Sequence, residues 1–177
     1  VTCVRVNWSV GSFTGREMDA TPALVRVVEE IWDAGFGVDV AAGNMGPRRG
    51  PITTPAISRK VITVGCADDD RVVNVMGGRM SGYSGRGPTR SWVCKPDIVA
   101  PGAAITSCDN QSGCYTVKSG TSMATPYVSG AIALLLEQHP EMSTRDVKLL
   151  LRERAVDLGL PRNQQGWGLL DIPSLLK

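Results

Sequence analysis

The sequence predicts an α/β protein built on a mainly parallel sheet, and three observations lead there. Short runs rich in Val and Ile recur at residues 4–8, 38–42, 61–64 and 98–100. They are near-continuously apolar, the pattern of strands covered on both faces. Between and after them lie segments with apolar residues three and four apart, the period of helices with one buried stripe. Strands interleaved with helices call for crossover connections, and crossovers give parallel pairing.

Each element has its own signals. The run at 4–8 is the first strand. Thr21 supplies an N-cap and Pro22 an N1 proline for a helix carrying Leu24, Val27, Val28 and Ile31, which Gly35 ends. The strand at 38–42 runs into a Gly43-Asn44-Met45-Gly46-Pro47 loop, and 61–64 and 98–100 are the third and fourth strands. Residues 105–108 and 115–117 read as an antiparallel hairpin. Thr121 or Ser122 opens a helix apolar on nearly every face (Met123, Ala124, Val128, Ala131, Ile132, Leu134, Leu135, Leu136), so it is central and buried. His139-Pro140 marks its stop. Ser143 caps a last amphipathic helix carrying Val147, Leu150 and Leu151, with Asp146 at N3 as its reciprocal partner. Trp167 sits in a closing turn that packs on the core. Neither an internal repeat nor a linker interrupts the chain, so residues 1–177 form part of one domain.

Composition narrows the function classes. The 177 residues are 42% hydrophobic and 20% charged with a net charge of +2, a globular balance. The densest basic spots, Arg48-Arg49 and Arg152/Arg154, read as solvated surface and predict no nucleic-acid partner. The longest apolar run, at 131–136, falls far short of the ~20 residues of a membrane span. Of the five cysteines, Cys3, Cys66 and Cys94 lie in strand-like or apolar contexts and read as buried free thiols. Cys108 and Cys114 bracket a turn-like Asp-Asn-Gln-Ser-Gly stretch, which leaves a short-loop disulfide and two free thiols both open. Asp68-Asp69-Asp70 reads as a solvated turn, since three consecutive acids do not make a calcium loop.

The residues that carry chemistry are few. Gly120-Thr121-Ser122-Met123-Ala124-Thr125-Pro126 places a serine at the mouth of the buried helix, where free N–H groups and a partial positive charge favour developing negative charge. Ala124 stands where a G-x-S-x-G elbow needs its second Gly, which excludes that arrangement. Asn44 follows a strand end and a glycine. The one histidine, His139, lies seventeen residues after Ser122; at ~1.5 Å per helical residue it is roughly 25 Å away, beyond the ~3 Å of proton transfer.

With Tyr127-Val128-Ser129-Gly130-Ala131 behind it, the serine heptad resembles the nucleophile motif of subtilisin-like serine proteases, the subtilases. The stretches Thr63-Val64-Gly65-Cys66-Ala67, Tyr83-Ser84-Gly85-Arg86-Gly87-Pro88 and Lys95-Pro96-Asp97-Ile98-Val99-Ala100-Pro101-Gly102 resemble further segments in the same order. The resemblance implies a subtilisin-like three-layer fold and a serine endopeptidase acting on protein or peptide substrates, with Ser122 as nucleophile and Asn44 as side-chain oxyanion donor. It further implies that Trp8, Ser9, Val10 and Gly11 form one wall of the substrate cleft and Ala41, Ala42 and Gly43 the other. Thr53 stands at the pocket floor where the family often has Gly, which narrows the pocket and implies a small or medium apolar P1 residue. Thr54-Pro55 matches a cis bond of the family. The chemistry requires no cofactor, and this sequence gives a structural calcium no support. The family is mostly secreted, so a secreted or cell-surface setting is expected, tempered by the cysteines, which leave an intracellular one open.

The resemblance covers the C-terminal half to two-thirds of a subtilase domain. In the family the triad runs Asp, His, Ser along the chain, and no Asp-Thr-Gly-like strand end or His-Gly-Thr-like helix start occurs here. The fold is therefore expected to be incomplete, with Asp and His supplied by an N-terminal part that precedes Val1. A nicked two-chain enzyme and a catalytically inactive relative acting as a binding protein are the alternatives. The chain alone is expected to be inactive, and its strand at 4–8 to expose an apolar edge that pairs with other copies. Sedimentation of the isolated chain is expected to show association; a monodisperse, cooperatively unfolding monomer would contradict it.

Overall fold

The computed structural model describes residues 5–12, 22–47, 52–111 and 113–177. In chain order the elements begin with β1 (Arg5–Trp8), α1 (Ala23–Asp33), β2 (Gly37–Ala41) and β3 (Ile62–Cys66). There follow β4 (Val73–Val75), β5 (Gly78–Met80), β6 (Ile98–Ala100), β7 (Ile105–Cys108) and β8 (Tyr115–Lys118). The chain closes with α2 (Thr121–Gln138), α3 (Thr144–Arg154), α4 (Arg162–Gln165) and α5 (Ile172–Leu175). The four long apolar runs become one parallel sheet in the order β1-β2-β3-β6. The outer edge of β1 has no partner among the described residues.

Side-chain alternation sorts the sheet into two faces. Val38 and Val40 of β2 pack with Val28 of α1, Ile52, Ala56 and Val61. On the other face Ile62, Val64, Ile98 and Ala100 meet Ala124, Val128, Ala131, Ile132 and Leu135 of α2, which α3 covers with Val147 and Leu151. The result is the expected three-layer α/β arrangement. One departure from apolar packing lies under α2. Asp39, fully buried on β2, forms an ion pair with Arg5 of β1 and accepts from the Ser129 hydroxyl at 2.8 Å. Burial raises its pKa, and Arg5 works against that rise. A buried charge of this kind is costly without partners, so it fixes β1, β2 and α2 against one another.

Local details correct parts of the sequence reading. Pro22 takes the cap position itself, one residue later than expected, and Thr21 lies outside the described residues. Ser143 caps α3 through Asp146 N–H at 3.2 Å, and the Asp146 carboxylate takes its hydroxyl at 2.5 Å. The acidic triplet is not a solvated turn. Asp68 accepts from Gly102 N–H (2.8 Å), Ala103 N–H (3.1 Å) and the Cys66 thiol, while buried Asp69 accepts from Ser84 N–H (3.1 Å) and Arg86. Among the described residues no acidic, His or Cys group forms a metal-holding cluster. Cys66 is buried as expected, and burial pushes its thiol up to about 12, which makes it inert. Cys94 is exposed, contrary to expectation, because it lies at the surface before β6 and not within a strand. Cys108 and Cys114 are free and exposed on the β7–β8 hairpin, and Cys3 lies outside the described residues. Thr54-Pro55 is cis, as are Gly46-Pro47, Gly87-Pro88 and Lys95-Pro96.

Two lysines, Lys95 buried and Lys148 partly buried, lie where β3 and β6 begin. Lys95 donates to Asp97 Oδ2 (2.6 Å) and to the Val61 carbonyl (3.2 Å). Lys148 of α3 donates to the carbonyls of Arg59, Lys60 and Val61 at 2.8, 3.0 and 2.8 Å. Its ammonium also lies 5.7 Å from the Trp32 ring centre and 5.9 Å from that of Trp167. Burial lowers the Lys148 pKa from 10.5 to about 8, outweighing the attraction of Asp97. Between pH 8 and 10.5 the unfolded chain therefore holds a proton that the folded one lacks, and stability rises with pH across that window. Below pH 8 the folded protein carries the buried charge and that gain is lost. Denaturant unfolding of Lys148→Met in a Ser122→Ala background is expected to show a flatter rise over this window than Ser122→Ala alone.

Candidate active site

Three chain segments meet where β1 and β2 end and α2 begins. Ser9–Gly11 leaves β1, Ala42-Gly43-Asn44 leaves β2, and Gly120 is the N-cap of α2. Gly120 has φ +141°, which a side chain rarely adopts, and a Cβ there would stand 3.1 Å from Asn44 Nδ2. The helix start is set from behind as well. Gly120 N–H donates to the Gly102 carbonyl at 2.9 Å, and Gly102 hangs from Asp68.

Thr121 joins the segments. Its N–H (2.9 Å) and its hydroxyl (3.1 Å) both donate to Asn44 Oδ1, while the hydroxyl oxygen accepts from Gly43 N–H at 3.2 Å. With its oxygen committed, the Asn44 amide has one orientation, and Nδ2 makes no hydrogen bond among the described residues. The N–H of Ser122, an orphan of the first helical turn, is likewise uncommitted. Two donors and a hydroxyl thus share one face.

The Ser122 hydroxyl donates to the Ser9 carbonyl at 2.9 Å, and the Ser9 hydroxyl returns a bond to the Ser122 carbonyl at 3.2 Å. Pro126 is the reason that carbonyl is free. It lies four residues on, inside α2, and has no N–H to offer. The two serines therefore clasp β1 to the helix start.

The cleft, of about 380 Å³, is lined by Ser9, Val10, Gly11, Ala41, Gly43, Asn44, Thr53 and Ser122, all marked by the sequence. Trp8 and Ala42, also marked, do not line it; both pack toward the Val38/Val40 cluster, because alternation along each strand turns them to the α1 face. Thr53 is wedged between the two walls. Its N–H donates to the Ala42 carbonyl at 3.1 Å, and a Cβ on Gly43 would stand 2.5 Å from its methyl group. A Cβ on Gly11 would collide with its hydroxyl.

Sequence reasoning missed two lining residues. The sequence marks Thr121 only as a helix opener. Met76 comes from the unanticipated β4–β5 hairpin, whose two-residue turn, Met76-Gly77, has φ +51° and +84°, the type I′ geometry. Its sequence lacks the Asn-Gly or Asp-Gly that signals such a turn, and Met is a poor fit to positive φ. With Met45 and Val10 it rings the cleft with exposed apolar side chains. His139 is the half-exposed C-cap at the far end of α2 and takes no part.

Comparison with known proteins agrees with this geometry. The sequence matches the subtilase family over residues 5–168. It is 43% identical over 142 residues to the serine protease AprX of Bacillus subtilis, covering 73% of this chain and 32% of that protein. It is 32% identical over 169 residues to subtilisin DY of Bacillus licheniformis, covering 94% and 54%. Among solved structures, the prenylagaramide maturation protease PagA superposes with a TM-score of 0.76 at 26% identity, over 98% of this chain and 61% of that one. The S41 psychrophilic protease gives 0.75 at 31% identity, over 94% and 56%. The chain spans a third to just over half the length of these curated relatives. It belongs to the subtilase family.

Proposed function

We propose that this chain is the nucleophile-bearing portion of a subtilisin-like serine endopeptidase. The supporting observation is the convergence of the Ser122 hydroxyl, the free Ser122 N–H and the free Asn44 Nδ2 on one cleft. Ser122 Oγ attacks the scissile carbonyl carbon, and the oxygen that becomes negative sits between Asn44 Nδ2 and Ser122 N–H at the positive end of α2. Before attack the hydroxyl leaves the Ser9 carbonyl and passes its proton to a histidine, held by an aspartate, from the remainder of the same domain. The histidine returns that proton to the leaving nitrogen as the tetrahedral adduct collapses, which expels the amine and leaves an acyl group on Ser122. Water then releases it as the carboxylic acid and restores the serine hydroxyl. By itself the chain retains only binding and oxyanion stabilisation.

The cleft favours a small or medium apolar P1 side chain, because Thr53 occupies the space between Gly11 and Gly43 and no acid among the described residues lines the pocket. The substrate backbone would pair with the segment after β1. The neighbouring outer edge of β1 is where the rest of the domain, or a second copy in its absence, adds a strand. Similarity to relatives such as the minor extracellular protease Vpr of Bacillus subtilis supports a secreted or cell-surface setting. No described helix is long and apolar enough to cross a membrane.

A fluorophosphonate probe is expected to label the full-length protein, but neither its Ser122→Ala variant nor this chain alone. A folded, processed full-length protein that stays unlabelled would favour an inactive relative acting as a binding protein. In the labelled enzyme Asn44→Ala is expected to lower kcat by roughly 10²–10³, the loss known for such a donor in subtilisin, with KM little changed. Thr121→Val, which removes two neutral hydrogen bonds behind Asn44, is expected to cost about tenfold in kcat. Thr53→Gly is expected to move the kcat/KM optimum of a P1 substrate series to larger apolar residues; an unmoved optimum would mean that Thr53 does not set the pocket's depth.

A further inference from the structure

Opposite the cleft, at the end where the parallel strands begin, lies a second pocket of about 300 Å³. Arg59 and Lys60 reach it from the loop entering β3, and Arg145, Lys148 and Arg152 from α3. Among the described residues no acidic side chain lines it. Two of the five cations are committed: Lys60 is chelated by Asp33 at 2.7 and 2.7 Å, and Lys148 is consumed by three carbonyls. The other three are not. Arg59, Arg145 and Arg152 are exposed, and their guanidinium groups make no hydrogen bond or ion pair among the described residues.

This placement works against the fold in two ways. Arg145, Lys148 and Arg152 recur at i, i+3 and i+7, so three like charges share one stripe of α3, a spacing that destabilises a helix. Arg145 also lies in the first turn, where the helix dipole disfavours a cation. The neighbouring Trp32 and Trp167 give the pocket flat aromatic walls. Its volume lies at the small end of the roughly 300–1,000 Å³ usual for small-molecule sites.

We propose that this pocket binds a multiply charged phosphate chain, which Arg59, Arg145 and Arg152 grip through paired N–H donors. Guanidinium forks match phosphate oxygens bidentately, and three around one small cavity suit a ligand with several charged oxygens better than a single carboxylate. The ligand is either an inorganic polyphosphate or the phosphate tail of a nucleotide, the latter with its base against a tryptophan ring. The site stands apart from Ser122 and holds whether or not the serine is active.

The test titrates full-length protein carrying Ser122→Ala with sodium tripolyphosphate, at constant ionic strength, by calorimetry and tryptophan fluorescence. Saturable binding of one equivalent is expected. Arg59→Ala/Arg145→Ala/Arg152→Ala is expected to weaken it by roughly tenfold or more. Arg26→Ala/Arg71→Ala/Arg90→Ala, which removes the same charge from other exposed positions, is expected to leave it intact. Should the first triple variant not fold, Arg59→Lys/Arg145→Lys/Arg152→Lys keeps the charge and is expected to bind more weakly because the forks are lost. Equal affinity for ATP and tripolyphosphate would assign the site to the phosphate chain alone; tighter ATP binding that Trp32→Phe or Trp167→Phe reduces would assign it to a nucleotide. Absence of saturable binding, or equal weakening by the two alanine triples, overturns the proposal.

Discussion

The hydroxyl and N–H of Thr121 hold the whole site in register, because both end on one oxygen of Asn44 while Gly43 donates back. Three small polar groups thereby tie the end of β2 to the first turn of α2. The arrangement depends on α2 being driven into the protein by its apolar faces, which bring a helix N-terminus, normally a solvent-facing set of orphan donors, to a half-buried position. Once there, its donors need partners. Asn44 takes one, Gly120 N–H finds Gly102, and the Ser122 N–H is left facing the cleft. Apolar burial supplies the driving force, and it leaves unpaired polar groups at the helix mouth.

Much of this was legible in the sequence. The four apolar runs, the amphipathic α1 and the all-apolar α2 announced their type because burial on both faces leaves little choice of residue. Ser122 and Asn44 were legible as a pair in motif context, and the geometry brings them to one cleft. Roles that depend on tertiary neighbours were not legible. Asp68 and Asp69 looked like surface acids, yet they collect N–H groups from loops up to 35 residues away. Nothing local to Lys95 or Lys148 says that the carbonyls before β3 would need them. The β4–β5 hairpin was hidden because its turn uses Met in a conformation that usually marks Gly or Asn. Trp8 and Ala42 were assigned to the cleft by position, but strand alternation turns them the other way.

The two ends of the parallel sheet have opposite characters. Where strands end, the protein offers uncommitted N–H donors, a hydroxyl and an apolar rim. Where they begin, it gathers cations around backbone carbonyls and the Asp97 carboxylate, with three arginines left over. Apart from the Asp39–Arg5 pair, the sheet between them is covered on both faces by apolar side chains, so either end can change without disturbing the other.

The β4–β5 hairpin carries that independence further. Only Val75 of its strands is deeply buried, with Tyr83 and Cys66, while Met76 at the tip is 83% exposed over the cleft. The tip is thus a replaceable part: a change of its side chain reshapes the cleft rim without touching the core. The rim of the cleft can therefore be altered at this tip while Ser122, Asn44 and the core stay unchanged.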